Sequence, residues 1–579
     1  MHLLRLSRSA LNRPAVVGPT CLALGFLLAV AIVSGGVVGA QTTLPGYTGP
    51  HPRTPVDQIP AGGEMQNFQL IGHNPLLDPE MGIARSQNGG IAAVRDCVYV
   101  GTNIGMQPTV IVDMADMANP KVVGPLPGWI QGRGNGIEAI EAVPDLNLLV
   151  NTVRTAGNLG YDPPAADFNT ALLIYDVTDC RNPVLVSRWN APNTSLHYMS
   201  LWRDPNQPDR VLANVTFSND IPDDGIDIRV VDLTGCPKSC NPQVAAEWGL
   251  RAQFEIPPVL EEAYDGGVYR PTTQTHDVTS SLDGSRMYVA QLHFGYFELD
   301  SSALANKQPC DPSSPRSPDA TGHCLTALNP NLAQRLQPFG VGNGHTHGIV
   351  RLPGRPYVSM AHEDGTCPYS GINMVYVGNQ ESFAPGAPGT GLIRGDLFPK
   401  LVGVFALPEN QVDRCPKPGQ PAGPNTYGPE ILRSRMDVHD VIAFPDLMFA
   451  TWYGAGLRAI DVSNPAAPFE LGYFFNKPES DARWCYGASA VGPNFCGPVE
   501  MDANGRPFQQ RPTGPLDIDA RSYPIVMNGY VVYSDAVSGL YVLKYTGPHA
   551  DEVPTQGLCS AHNPGVESPG FEPCPPYRT

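Results

Sequence analysis

Charged side chains are scarce in this chain, at 16% of 579 residues, and no basic run offsets a formal net charge of −18. Nucleic acid is therefore not an expected partner, because binding to backbone phosphates would work against the whole field. No Gly-rich strand–helix turn of the kind that cradles phosphates is present, nor any Gly-x-Ser-x-Gly elbow. Paired Cys-x-x-Cys motifs are missing, which argues against a zinc ribbon. Long helices are excluded by 60 Gly and 61 Pro, about a fifth of the chain. The glycines lack a three-residue period, so the chain is not collagen-like. Apolar runs such as Cys97-Val98-Tyr99-Val100 recur too often for a disordered one. What remains is a loop-rich all-β protein with a substantial core.

The first forty residues read as an export signal. Arg5, Arg8 and Arg13 form a basic start, Cys21 to Val33 an apolar stretch, and Val38-Gly39-Ala40 a small-residue cleavage site. A membrane anchor is the alternative. Gly25 and Ser34-Gly35-Gly36 interrupt the stretch, short of the ~20 apolar residues that span a bilayer. No later segment has spanning length, so a periplasmic or secreted protein without a stable membrane span is expected. Thirteen cysteines less Cys21 leave an even number. Oxidising conditions would let neighbours pair locally, as Cys236 with Cys240, Cys310 with Cys324, Cys485 with Cys496 and Cys559 with Cys574.

A repeat organises the rest. An apolar strand ends in Asp and is followed by a Pro-bearing turn in Val110-Ile111-Val112-Asp113, Leu173-Ile174-Tyr175-Asp176 and Arg229-Val230-Val231-Asp232. The same pattern shows in Tyr296-Phe297-Glu298-Leu299-Asp300 and most clearly in Leu457-Arg458-Ala459-Ile460-Asp461-Val462-Ser463-Asn464-Pro465. Degenerate copies stand at Met374 to Val377 and Leu540 to Leu543. A two-strand hairpin precedes each motif and one strand follows it, giving four strands per unit. Seven such units predict a seven-bladed β-propeller with long Pro/Gly-rich insertions. Its expected span is 89–548, after an N-terminal extension at 41–88 and before a Cys/Pro-rich tail at 549–579. The first blade is expected to be completed by the C-terminal strand near Tyr541.

These residues resemble the LVIVD-repeat propeller family over most of 90–545. The hairpin from Thr275-His276-Asp277-Val278 through Met287-Tyr288-Val289 is distantly similar to the selenium-binding protein and methanethiol oxidase family, whose Cys-x-x-Cys run is absent here. That second resemblance implies copper and the oxidation of a small molecule.

Aligning the hairpins on their turns places Val438-His439-Asp440-Val441 over Ile137-Glu138-Ala139-Ile140 without a gap. The column reads Gly89, Glu138, His197, His276, His347, His439 and Arg521 around the ring. First strands line a propeller channel, so one position per blade points to the axis. Four imidazoles there are expected to bind one metal ion, with Glu138 as a fifth ligand or as a carboxylate orienting a ligand histidine. Copper is favoured, and iron or zinc would also accept imidazole. At the ends of the second strands, His293, His362 and Tyr453 are expected to act on a small-molecule substrate, beside Phe217, Trp452 and Glu363. His345 is a spare ligand or a loop histidine. The acidic pairs Asp223-Asp224 and Glu261-Glu262 read as solvated loop charges. Two function classes follow: an exported metal-dependent oxidase or oxygenase, or a secreted binding propeller with a structural metal or none. Carotenoid-cleaving oxygenases, propellers with a four-histidine iron centre, are an architectural precedent for the first.

Overall fold

A computed structural model describes residues 60, 62–76, 88–102, 108–128, 133–155, 170–191, 195–218, 226–249, 275–291, 295–308, 325–328, 346–362, 371–377, 400–407, 438–476, 499–501, 507–509, 520–536 and 538–560. The strands form seven small antiparallel sheets in a ring, a seven-bladed β-propeller, and almost no helix. Six blades are continuous in sequence, at 88–125, 133–190, 195–248, 275–328, 346–405 and 438–475. The first strands of neighbouring blades lie against one another, which marks them as the strands nearest the axis.

The seventh blade closes the ring in the reverse of the expected sense. Tyr541 lies in its third strand, Gly539–Tyr545, and the fourth strand is the early segment Phe68–Asn74. The pairing is antiparallel from Phe68 opposite Tyr545 to Asn74 opposite Leu540. Just before it, Glu64–Gln66 adds a fifth strand to the sixth blade along Phe469–Phe475. The segment expected as an extension thus supplies two edge strands, and Leu558–Cys559 of the expected tail pairs with Ile525–Met527. His549 and Glu552 hold the tail's start to the sixth blade, through Asp461 Oδ2 at 3.0 Å and a 2.9 Å hydrogen bond donated by the Asp446 amide.

The recurring aspartate has a local cause. In five blades its Oδ1 accepts the amide of the second residue on, at 2.8–3.0 Å: Asp113 from Ala115, Asp176 from Thr178, Asp232 from Thr234, Asp300 from Ser302, Asp461 from Ser463. The carboxylate supplies the acceptor that a turn leaving a strand otherwise lacks. Glycine serves the packing between blades. A Cβ on Gly403 would lie 2.0 Å from the carbonyl oxygen of Pro465, so the sixth blade's Asn-Pro turn seats directly on the fifth blade's outer strand.

Burial is concentrated between blades. Ala92, Tyr99 and Ile111 of the first blade meet Ile140, Leu149 and Tyr175 of the second, all buried. Each large aliphatic side chain so removed from water contributes ~1.5–3 kcal/mol. Cys236 pairs with Cys240 as expected, whereas Cys97 and Cys180, 83 residues apart, join the first two blades rather than near neighbours in the chain. Cys559 is disulfide-bonded to a partner outside the described residues, where the other expected pairs also lie. The expected export signal lies outside them too. Among the described residues no helix is long and apolar enough to cross a membrane.

Candidate metal centre

The inner strands are interrupted where they approach the site. Ladder pairing breaks between Asn88 and Ile91, Asn135 and Ile140, Leu196 and Met199, Thr275 and Asp277, Thr346 and Ile349, and Val438 and Val441. Those breaks hold Gly89, Glu138, His197, His276, His347 and His439. In the seventh blade Ala520 bridges Asp535, so the next residue, Arg521, completes the register. A β-bulge bends its strand and re-aims the side chain within it, so one alignment column recurs at one register of the inner strands.

Hydroxyls on the second strands satisfy the backbone that the bulges unpair. Thr216 Oγ1 accepts the Tyr198 amide at 3.0 Å and donates to His276 O of the next blade at 3.0 Å. Thr451 Oγ1 accepts the Asp440 amide at 3.2 Å and donates to Ser522 O of the next blade at 3.0 Å. Ser534 Oγ donates to Gly89 O at 2.7 Å across the closure. The register is therefore fixed between blades as well as within them.

Three of the five expected ligands come together. Glu138 Oε2 lies 2.9 Å from His197 Nε2 and 3.5 Å from His276 Nε2, and the two imidazoles meet edge to face with centroids 4.3 Å apart. One ligand atom from each lies within 4.8 Å of the others, and both histidines are buried. Ligands bound at ~2.0–2.2 Å and separated by ~90–110° at a first-row ion stand ~2.9–3.5 Å apart, the range of the two separations from Glu138 to the histidines. His439 shares the register but not this group. Its Nδ1 meets Asp440 Oδ2 at 2.7 Å, and its ring stands edge-on to Tyr453 at 5.0 Å. A carboxylate on Nδ1 sets the imidazole orientation and leaves any ligand role to Nε2. His347 takes its place in the inner strand Thr346–Arg351, and its side chain lies outside the described residues.

Next to the ring lies a buried polar layer that the sequence reading did not assign. Asp277 Oδ2 accepts the Ile349 amide at 2.7 Å and the Tyr523 hydroxyl at 2.9 Å, linking the fourth, fifth and seventh blades. Burial raises the Asp277 carboxyl to about 7, against those hydrogen bonds, and burial followed by the Asp277 charge raises Glu141 well above the carboxylate range. The phenols of Tyr198 and Tyr523, whose ring centroids are 5.7 Å apart, are pushed up by burial first and then by Asp277. The available signal was the His-Asp dipeptide, repeated at 276–277 and 439–440.

The second expected column divides in register. Phe217, Gln291, His362 and Trp452 pair with the residue before each bulge, opposite Leu196, Thr275, Thr346 and Val438. Gln291 thus holds the fourth blade's place in that column, and His293, two residues on, lies outside the described residues with His345, Glu363 and both acidic pairs. His362 is 2% exposed and its amide donates to Gly371 O at 2.9 Å. Tyr453 follows Trp452 in a short 3-10 turn, buried, with its ring against His439 and the Arg521 guanidinium 4.9 Å from its centroid.

No protein-family model matches this chain, and no curated protein matches it. Solved structures similar to it are propellers. The Cps50 (Swd1) β-propeller domain of Myceliophteria thermophila is 10% identical at a TM-score of 0.41, covering 82% of this chain and 98% of that one. Sqt1 of Chaetomium thermophilum is 10% identical at 0.41, covering 84% and 99%. A hypothetical selenium-binding protein of Sulfolobus tokodaii is 12% identical at 0.38, covering 79% and 92%. Likeness at this level carries no argument about function.

Proposed function

We propose that the protein is an exported metal-dependent propeller enzyme, an oxidase or oxygenase of a small molecule. The observation that carries this is the Glu138, His197 and His276 group, with donor separations of 2.9 and 3.5 Å at one inward register. These three would hold the ion, with His347 and His439 completing its coordination from the same register. Copper is the ion favoured, and the same imidazoles would accept iron or zinc. Copper or iron bound there would supply electron transfer and a Lewis-acid site for dioxygen or substrate. Around it the chain's own groups do the positioning: Asp440 orients His439, and His362 and Tyr453 would stand at the substrate's side of the ring. The paired cysteines of the first blades accord with an oxidising compartment, as the export signal implies.

The 2.9 Å Glu138–His197 contact is equally the length of a charge-assisted hydrogen bond, which favours as second reading a secreted binding propeller without a catalytic metal. Metal content decides between them. Protein taken from its native compartment should carry a near-stoichiometric redox metal by elemental analysis, and it should be lost in His197→Ala and His276→Ala. A metal-free native protein that stays empty after incubation with copper and ferrous iron would overturn the enzyme reading.

A further inference from the structure

A second group of metal-ligating side chains gathers where the chain leaves the seventh blade and meets the sixth. Asp446 stands in the turn between the sixth blade's first two strands, and Asp461 ends its third strand. His549 and Glu552 come from the segment that follows Gly539–Tyr545. One ligand atom each from Asp446, His549 and Glu552 lies within 4.8 Å of the others, and all three residues are half-buried. His549 Nε2 donates to Asp461 Oδ2 at 3.0 Å, while Asp461 Oδ1 caps its own turn on the Ser463 amide. A proton on Nε2 leaves the lone pair on Nδ1, which stands 3.6 Å from Glu552 Oε1. A charge-assisted hydrogen bond across that gap would measure ~2.7–2.9 Å. Two ligands of one tetrahedral zinc ion, bound at ~2.0–2.2 Å, stand ~3.3–3.6 Å apart. A carboxylate on one ring nitrogen and a metal on the other is the usual setting of a ligand histidine. Glu552 divides its oxygens to match, since Oε2 accepts the Asp446 amide at 2.9 Å and Oε1 is the one turned to the imidazole. Asp446 Oδ1 meets Arg355 Nη1 at 3.2 Å, so Asp446, Asp461 and Glu552 outnumber the guanidinium that reaches them.

We propose that His549 Nδ1, Glu552 Oε1 and a carboxylate oxygen of Asp446 bind one zinc ion, which staples the chain after the seventh blade to the sixth. Imidazole and carboxylate donors both suit zinc, and the ion relieves the excess of negative charge. Asp461 is a positioning residue, holding the imidazole in the tautomer that leaves Nδ1 for the metal. The site is separate from the Glu138–His197–His276 group and does not rest on the reading of that group.

The test uses the full-length mature protein carrying His197→Ala and His276→Ala, so that the other group takes no zinc. After incubation with zinc chloride at neutral pH and dialysis, elemental analysis should find one zinc per chain. Adding His549→Gln should remove it. Adding Glu552→Gln, which keeps an acceptor for the Asp446 amide and deletes the ligand charge, should also remove it. Asp461→Asn should weaken zinc by ~10–100-fold, the usual effect of changing a group that orients a ligand. Hydrogen exchange at the Asp446 amide should slow on adding zinc, and should not respond to zinc in His549→Gln. If the double alanine background does not fold, the same comparison is made in the wild type, which should hold one zinc more than His549→Gln. A folded background that retains no zinc would leave only an imidazolium clamp between two carboxylates and overturns the inference. Zinc retained in both folded glutamine variants, or an Asp446 amide indifferent to zinc, overturns it too.

Discussion

Two sectors of the ring share a backbone and differ in chemistry. In the second to fourth blades, the bulges present Glu138, His197 and His276, and one carboxylate faces two imidazoles of neighbouring blades. In the sixth and seventh blades, equivalent bulges present His439 and Arg521, and His439 instead takes its carboxylate from the next residue of its own strand. Thr216 staples the first sector and Thr451 the second, in the same way. Backbone register thus comes from the scaffold and is shared around the ring, while chemistry depends on which side chain each bulge carries. Blades can diverge at this position without loss of fold, because the hydroxyl staples hold backbone atoms and not the side chains that vary.

Breaking the ligand sector should have the largest effect. His276→Ala removes a donor outright and should abolish metal retention after dialysis, read by elemental analysis, while circular dichroism stays β-type. Asp440→Asn on the other sector should weaken metal affinity by only ~10–100-fold, the usual result of changing a group that orients a ligand. Equal losses in the two variants would show that the sectors are not different in kind. Smaller still is Tyr523→Phe, which deletes the hydroxyl that Asp277 accepts. It should cost ~1.5–3 kcal/mol in urea unfolding, the range for a hydrogen bond to an ionisable group, with metal content unchanged. The smallest pair sharpens the scaffold half of the comparison. Thr216→Val and Thr451→Val should each cost ~0.5–1.5 kcal/mol and agree with each other, since the two staples are the same device in different sectors.

Much of this was legible because it is periodic. Five Asp-ended strands and two degenerate copies set the blade count, since each aspartate caps its own turn and so must recur in sequence. The shared register of the inner strands was legible for a related reason: Glu138 and His439 sit at the same distance from a shared Pro-Asp turn. What escaped lacks a period or acts across blades. Phe68–Asn74 closes the ring without the Asp-turn signature, as it is an outer strand with no further strand to lead into. Asp277 stood in plain view beside His276, but its partners Ile349 and Tyr523 come from other blades, and no spacing along the chain encodes that meeting. The disulfide between Cys97 and Cys180 is hidden in the same way, since proximity in the ring replaces proximity in sequence.

The closure has a consequence for how the protein matures. His73 and Ser538, in contact at 2.7 Å in the last blade, are 465 residues apart, so the strand synthesised among the first finds its partner among the last. During emergence from a ribosome or a translocation channel, six sheets can collapse while the ring stands open with two raw edges. Such long-range pairing is slow, and exposed edges invite strand exchange with other chains. A chain arrested or clipped before Gly539 would leave Phe68–Asn74 unmatched and the seventh sheet unbuilt, however well the earlier blades had formed. Quality control that senses open sheet edges would therefore read, in this one seam, whether the whole polypeptide has arrived.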